Sequence, residues 1–169
     1  MPITSEVIVV AALSAGLGSA AVVDSMRRRI PNGISAATAI AGMALAGAGM
    51  SGVSLKSSVI GFVLGFAMML PGYIFGGTGA GDVKLFAAAG AVVGAQRIVP
   101  AFVFMAIAGG VLALGIACWR GRLWRTMKST ARLCGRPAAT KASIERPGED
   151  NRFPYGPAIA VGCVIAALM

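Results

Sequence analysis

The chain has 169 residues, 57% hydrophobic and 12% charged, with a mean hydropathy of +0.81. One small core cannot hide that much apolar surface, which excludes an ordinary soluble domain and predicts an integral membrane protein. The formal charge of +9 invites a nucleic-acid reading, but the basic residues gather in alternate loops between apolar runs, so no nucleic-acid partner is expected.

Six apolar runs, near the roughly 20 residues that cross a hydrocarbon core, fall at about 5–25, 34–50, 58–75, 83–96, 98–119 and 154–169. Backbone in lipid must satisfy its own hydrogen bonds, and runs without period-2 alternation do so as helices. The expected fold is all-α: a bundle of about six transmembrane helices, with residues 1–169 forming a single integral membrane domain. The first run has small residues from Ser14 to Ala21 but Glu6 in place of a basic start, which argues against a cleaved signal peptide. The fourth and sixth runs are short, and bilayer thinning or snorkelling flanks would accommodate them. Gly42 and Ala46, Gly61 and Gly65, and Gly90 and Gly94 each lie one turn apart. Such pairs let helices pack closely in lipid, a plainer reading than a substrate-docking groove.

Arg27, Arg28 and Arg29 follow the first run, and nine basic residues from Arg120 to Arg152 separate the fifth from the sixth. The opposite loops hold only Lys56 and, near a boundary, Arg97. The positive-inside rule therefore turns segments 24–33, 76–82 and 120–153 to the cytoplasm. From Trp119 onward, Trp119, Leu123, Met127 and Ala131 form one stripe of an interfacial helix, followed by a Pro- and Gly-rich loop. This segment reads as setting topology rather than as a dedicated binding site.

Chemistry has few residues to draw on. There is no histidine, which removes Ser-His and Cys-His nucleophiles and most zinc or haem ligation. Cys118, Cys134 and Cys163 form no C-x-x-C pair, so neither a disulfide framework nor a metal site is supported. Between residues 7 and 144 the only acids are Asp24 and Asp82, and an acid at a membrane edge is a functional candidate by default. Asp24 precedes Arg27 to Asn32, where Arg side chains can anchor its depth and Pro31 suits a turn or a helix start. Asp82 ends Gly76-Gly77-Thr78-Gly79-Ala80-Gly81, whose glycines permit an open backbone beside it. This is not a nucleotide loop, because no strand precedes it and no Gly-Lys-Ser/Thr closes it.

Two carboxylates alone suffice for amide hydrolysis, since like charges close together share one proton. Two independent structural acids, satisfied by Arg or Lys84, are the other reading. Asp82 opens a helix and Asp24 ends one, so the helix dipole favours charge on Asp82 and leaves the proton to Asp24.

Asp24 with Arg-Arg-Arg-Ile-Pro-Asn after it, Gly79-Ala80-Gly81-Asp82-Val83-Lys84-Leu85, and Phe153-Pro154-Tyr155-Gly156-Pro157-Ala158 resemble three segments of the type IV prepilin peptidases. These are intramembrane aspartic proteases of the GxGD type, and the chain resembles especially the short form associated with tight-adherence, Flp-type pili. The resemblance implies Asp24 and Asp82 as the catalytic pair, Gly79 and Gly81 as the adjoining loop, and Pro31, Asn32 and Lys84 as supporting residues. It implies no cofactor and no metal. It further implies a bacterial inner-membrane protein with its site toward the cytoplasm, cutting a prepilin after a short basic leader, with the bilayer and pilus assembly proteins as partners. The paired, zinc-binding cysteines of larger bacterial members are absent, so methylation of the new amino terminus is not implied. Presenilin-like proteases share GxGD but differ around the first acid. The competing classes are a membrane scaffold of a pilus or secretion assembly and a small proton or ion carrier.

Overall fold

The computed structural model describes residues 3–27, 31–119 and 156–168, and every regular element among them is helical. In chain order these are α1 (Ile3–Arg27), α2 (Asn32–Gly47), α3 (Leu55–Ile74), α4 (Ala80–Val93), α5 (Ala95–Trp119) and α6 (Gly156–Ala167). The interfacial helix and basic loop expected after Trp119 lie outside the described residues.

The six expected helices are present, but they are not six equal spans. Ser5–Asp24, Leu55–Ile74 and Ala95–Gly115 are long and apolar enough to cross a membrane. The other three have 16, 14 and 12 residues. At 1.5 Å per residue, α4 is only about 21 Å long. Its shortness follows from its place in the bundle, because α4 touches all five of the other helices. Asp82, Val83 and every residue from Leu85 to Val93 are buried. A helix that is apolar all round is a core helix, and α4 is surrounded by the other helices, which accounts for a short run otherwise put down to bilayer thinning or snorkelling flanks.

Small residues let the neighbours approach it. A Cβ on Gly61 would strike the carbonyl oxygen of Gly90, and one on Gly65 would lie 2.9 Å from the carbonyl oxygen of Phe86. From the other side, a Cβ on Gly42 would come within 2.9 Å of the Ala91–Val92 backbone. Close packing is therefore what these glycines serve. Ser58 Oγ donates to the Ala91 carbonyl at 2.6 Å, a polar tie between α3 and α4 where no hydrophobic effect holds helices together.

A single residue joins α4 to α5. Gly94 has φ 80° and ψ 173°, a region almost confined to glycine, and a Cβ there would lie 2.8 Å from Val53 Cγ1 and 2.9 Å from Ser57 Oγ. That hydroxyl accepts the Ala95 N–H at 3.1 Å. Gly94→Ala is expected to destabilise the bundle by about 1–3 kcal/mol through backbone strain alone. A melting curve in detergent measures it, and a variant as stable as the parent would remove the claim.

At the end of the bundle away from the aspartates, Arg97 ties three helices. Its Nη1 donates to the carbonyl of Ala167 at 3.1 Å, and its Nη2 lies 3.6 Å from Glu6 Oε1. The first contact satisfies a carbonyl that α6 leaves open at its C-terminus. The second is a partly exposed pair, of the kind worth under about 1 kcal/mol.

Candidate active site

Asp24 continues the stripe by which α1 enters the bundle. Val9, Leu13, Leu17 and Ala20 are almost fully buried, and their spacing of four, four and three residues carries Asp24, four further on, to the same face. Its side chain is 6% exposed. It meets the start of α6, where Oδ2 accepts the Gly156 N–H at 3.2 Å. The first N–H groups of a helix have no intrahelical partner and attract an anion. Glycine makes the approach possible: a Cβ at 156 would sit 3.0 Å from Asp24 Oδ2 and 3.2 Å from Ala21 Cα.

Asp82 is the third residue of α4 and 8% exposed. Its Oδ2 accepts the N–H of Gly79, the N-cap residue, at 3.0 Å, which is the returning half of a capping box. The Gly79 carbonyl in turn accepts from Asp82 and Val83 at 3.1 and 3.3 Å. Here too a Cβ would crowd the carboxylate, 3.1 Å from Oδ2. The preceding turn folds back on α3, with Gly77 and Thr78 N–H both donating to Gly72 and with Gly76 at φ 77°. Gly76, Gly77 and Gly79 are exposed. Gly81 lies within α4, so the open backbone expected beside Asp82 ends at Gly79.

Helices α1 and α4 are in contact, so the two carboxylates stand on neighbouring helices of the bundle. Each uses Oδ2 to accept a backbone N–H. Among the described residues, Oδ1 of each is without a hydrogen bond and neither acid is paired with a cation. Lys84, a candidate counter-ion, turns to Asn32 instead, its Nζ 3.1 Å from Oδ1. Pro31 is the N-cap of α2, and its carbonyl accepts the Ile34 N–H at 3.1 Å. Pro31, Asn32 and Lys84 therefore tie the start of α2 to the start of α4, while Arg28 to Ile30 and Phe153 to Tyr155 lie outside the described residues. Because the Lys84–Asn32 contact is exposed, Lys84→Met is expected to lower activity only a few-fold, as befits a positioning bond of modest net strength. A loss as large as that on removing an aspartate would give Lys84 a direct part.

The end-of-helix asymmetry between the two acids is reduced in three dimensions, because Asp24, in the last turn of α1, also meets the start of α6. Asp82 sits at the N-terminus of its own helix and Asp24 at that of α6, so each faces the positive end of a dipole. Sequence reasoning missed Gly156 as the partner of Asp24. The signal was there in Gly-Pro opening an apolar helix, a pairing in which proline suits the first turn and glycine has no helical reason to stand.

A family model described as the type IV leader peptidase family matches residues 11–114, a stretch that contains both aspartates. No curated protein and no solved structure matches the chain.

Proposed function

Since the chain belongs to the type IV leader peptidase family, we propose that it is an aspartic endopeptidase that removes the short basic leader of Flp-type prepilins, with Asp24 and Asp82 as the catalytic pair. Family membership makes the protein a leader-peptidase-type protease, and it supports prepilins as the substrates. The observation that supports the two named acids is their pairing: two buried carboxylates on touching helices, without a cation among the described residues, each anchored by one oxygen. A membrane scaffold gains nothing from such a pair, since each buried acid costs several kcal/mol unless it is neutral or partnered.

The chemistry needs one proton shared between the carboxyls. The ionised carboxylate takes a proton from water as the water oxygen attacks the scissile carbonyl carbon. The protonated carboxyl donates to the carbonyl oxygen, giving a neutral tetrahedral gem-diol. Collapse breaks the C–N bond, one carboxyl supplying a proton to the departing amine and the other recovering one from the hydroxyl. The anchoring N–H of Gly79 and of Gly156 holds each carboxylate in place while Oδ1 exchanges protons.

The site faces the cytoplasm of the inner membrane, a reading supported by the positive-inside bias around Arg27 to Arg29 and from Arg120 onward. There a cytoplasmic leader meets an apolar helix at the depth of the two acids. The 169 residues act as one peptidase domain beside the pilus assembly proteins. The test is leader removal from a co-expressed prepilin by Asp24→Asn and Asp82→Asn.

A further inference from the structure

Helices α2 and α4 run in parallel, since Asn32 meets Lys84 near their starts and Gly42 meets Ala91 and Val92 further along. Two turns back from these contacts, Ser35 on α2 stands level with Lys84 and Leu85 on α4. That is within about 4 Å of Asp82 along the axis. Ser35, Ala39, Gly42 and Ala46 are all buried and spaced as one helical face, so Ser35 shares the face by which Gly42 meets α4.

Ser35 is 4% exposed, and its buried Oγ has no hydrogen-bond partner among the described residues. A hydroxyl on this helix ordinarily satisfies itself by bonding back one turn, as Thr38 does to the Ile34 carbonyl at 2.8 Å. The carbonyl one turn behind Ser35 is that of Pro31, which accepts the Ile34 N–H at 3.1 Å and takes no bond from the Ser35 hydroxyl. Alanine at this position would hide the same surface with no polar atom to satisfy. A buried hydroxyl less than a turn along the axis from Asp82, with no partner among the described residues, can both donate to and accept from a group that enters the site.

Resting on the peptidase reading, we propose that Ser35 hydrogen-bonds the substrate main chain at the peptide group just beyond the scissile bond, on its membrane side. A substrate helix must unwind to be cut, and unwinding frees N–H and C=O groups where no water replaces their partners. A serine hydroxyl both donates and accepts, so it serves either group. Ser35 stands deeper along α4 than Asp82, which assigns it to the apolar side of the junction rather than to the basic leader.

The probe is a fluorogenic peptide with a basic leader ending in glycine, followed by an apolar segment, cleaved by the full chain in detergent. A bond made alike in ground and transition states alters KM and not kcat. Ser35→Ala is expected to raise KM about tenfold with kcat unchanged. Ser35→Thr restores it, and Thr38→Val, which removes a self-satisfied hydroxyl from the same helix, leaves both constants as they were. Without peptide, Ser35→Ala melts no lower than the parent, because it removes an unsatisfied buried group. An unaltered KM in Ser35→Ala overturns the assignment while leaving the dyad standing, as does a lowered melting point that Ser35→Thr fails to repair. Absence of cleavage by the unaltered protein overturns the peptidase reading itself.

Discussion

Asp24→Asn and Asp82→Asn each reduce leader removal by at least about a thousandfold, while the protein remains folded in the membrane. The size follows from the chemistry: an amide can neither take the proton from water nor return one to the amine, and each such transfer is worth typically 10²–10⁴ in rate. The preserved fold follows from the contacts. Asparagine keeps a side-chain oxygen that can accept the Gly156 or Gly79 N–H, and its volume matches the space that aspartate fills. Replacing a buried acid by a neutral amide also removes a charge the bundle must otherwise desolvate. The double variant is expected to be scarcely worse than either single one, because catalytic partners act as a unit. A prepilin shift assay, with a melting curve on the same samples, checks all three statements. Full processing by either single variant would sink the dyad. A scaffold predicts that both changes are harmless, and a proton carrier predicts flux in vesicles without a processed product.

The sequence makes some parts of this site legible and hides others for identifiable reasons. The six helices were visible because apolar runs are long compared with anything that interrupts them. The helices α2, α3, α4 and α5 start about two or three residues before the apolar runs that mark them. The first turns there are polar, as in Asn32-Gly33, Lys56-Ser57, Gly81-Asp82 and Gln96-Arg97, and hydropathy discards residues that a helix N-terminus tolerates. The placement of Asp24 on the inward stripe of α1 could be read from the spacing of Val9, Leu13, Leu17 and Ala20. What could not be read was which helix α4 hides behind, and so which helices reach lipid. Nor could the bond from Gly156 to Asp24 be read, which joins residues 132 positions apart and leaves no local pattern. Lys84 shows the same limit: its charge suggested a carboxylate partner, and only the parallel seating of α2 on α4 turned it to Asn32.

Gly156→Ala separates the anchoring of the dyad from the stability of the bundle. At the first position of α6, alanine is a better helix former than glycine by up to about 1 kcal/mol, and Gly156 has no positive φ to protect. The helix itself therefore has no reason to suffer. The added methyl, however, would lie 3.0 Å from Asp24 Oδ2 and 3.2 Å from both Asp24 Cβ and Ala21 Cα, all inside ordinary contact at 3.4 Å or more. Two of these neighbours belong to the backbone or stem of α1 and cannot swing aside, so α6 must withdraw by a few tenths of an ångström, lengthening the Gly156 bond to the carboxylate. Misplacing a reacting group by about 1 Å can cost a hundredfold in rate, and the smaller shift here is expected to lower kcat roughly tenfold. KM should stay near that of the parent, because Gly156 holds Asp24 rather than the peptide. Gly79→Ala crowds Asp82 in the same way, yet its neighbour is the far end of a side chain and its own backbone is exposed and extended, so the effect should be smaller. Steady-state kinetics and melting curves on the two variants decide the matter: an unchanged kcat in Gly156→Ala, in a protein that melts like the parent, would show that Asp24 does not depend on the start of α6 for its position.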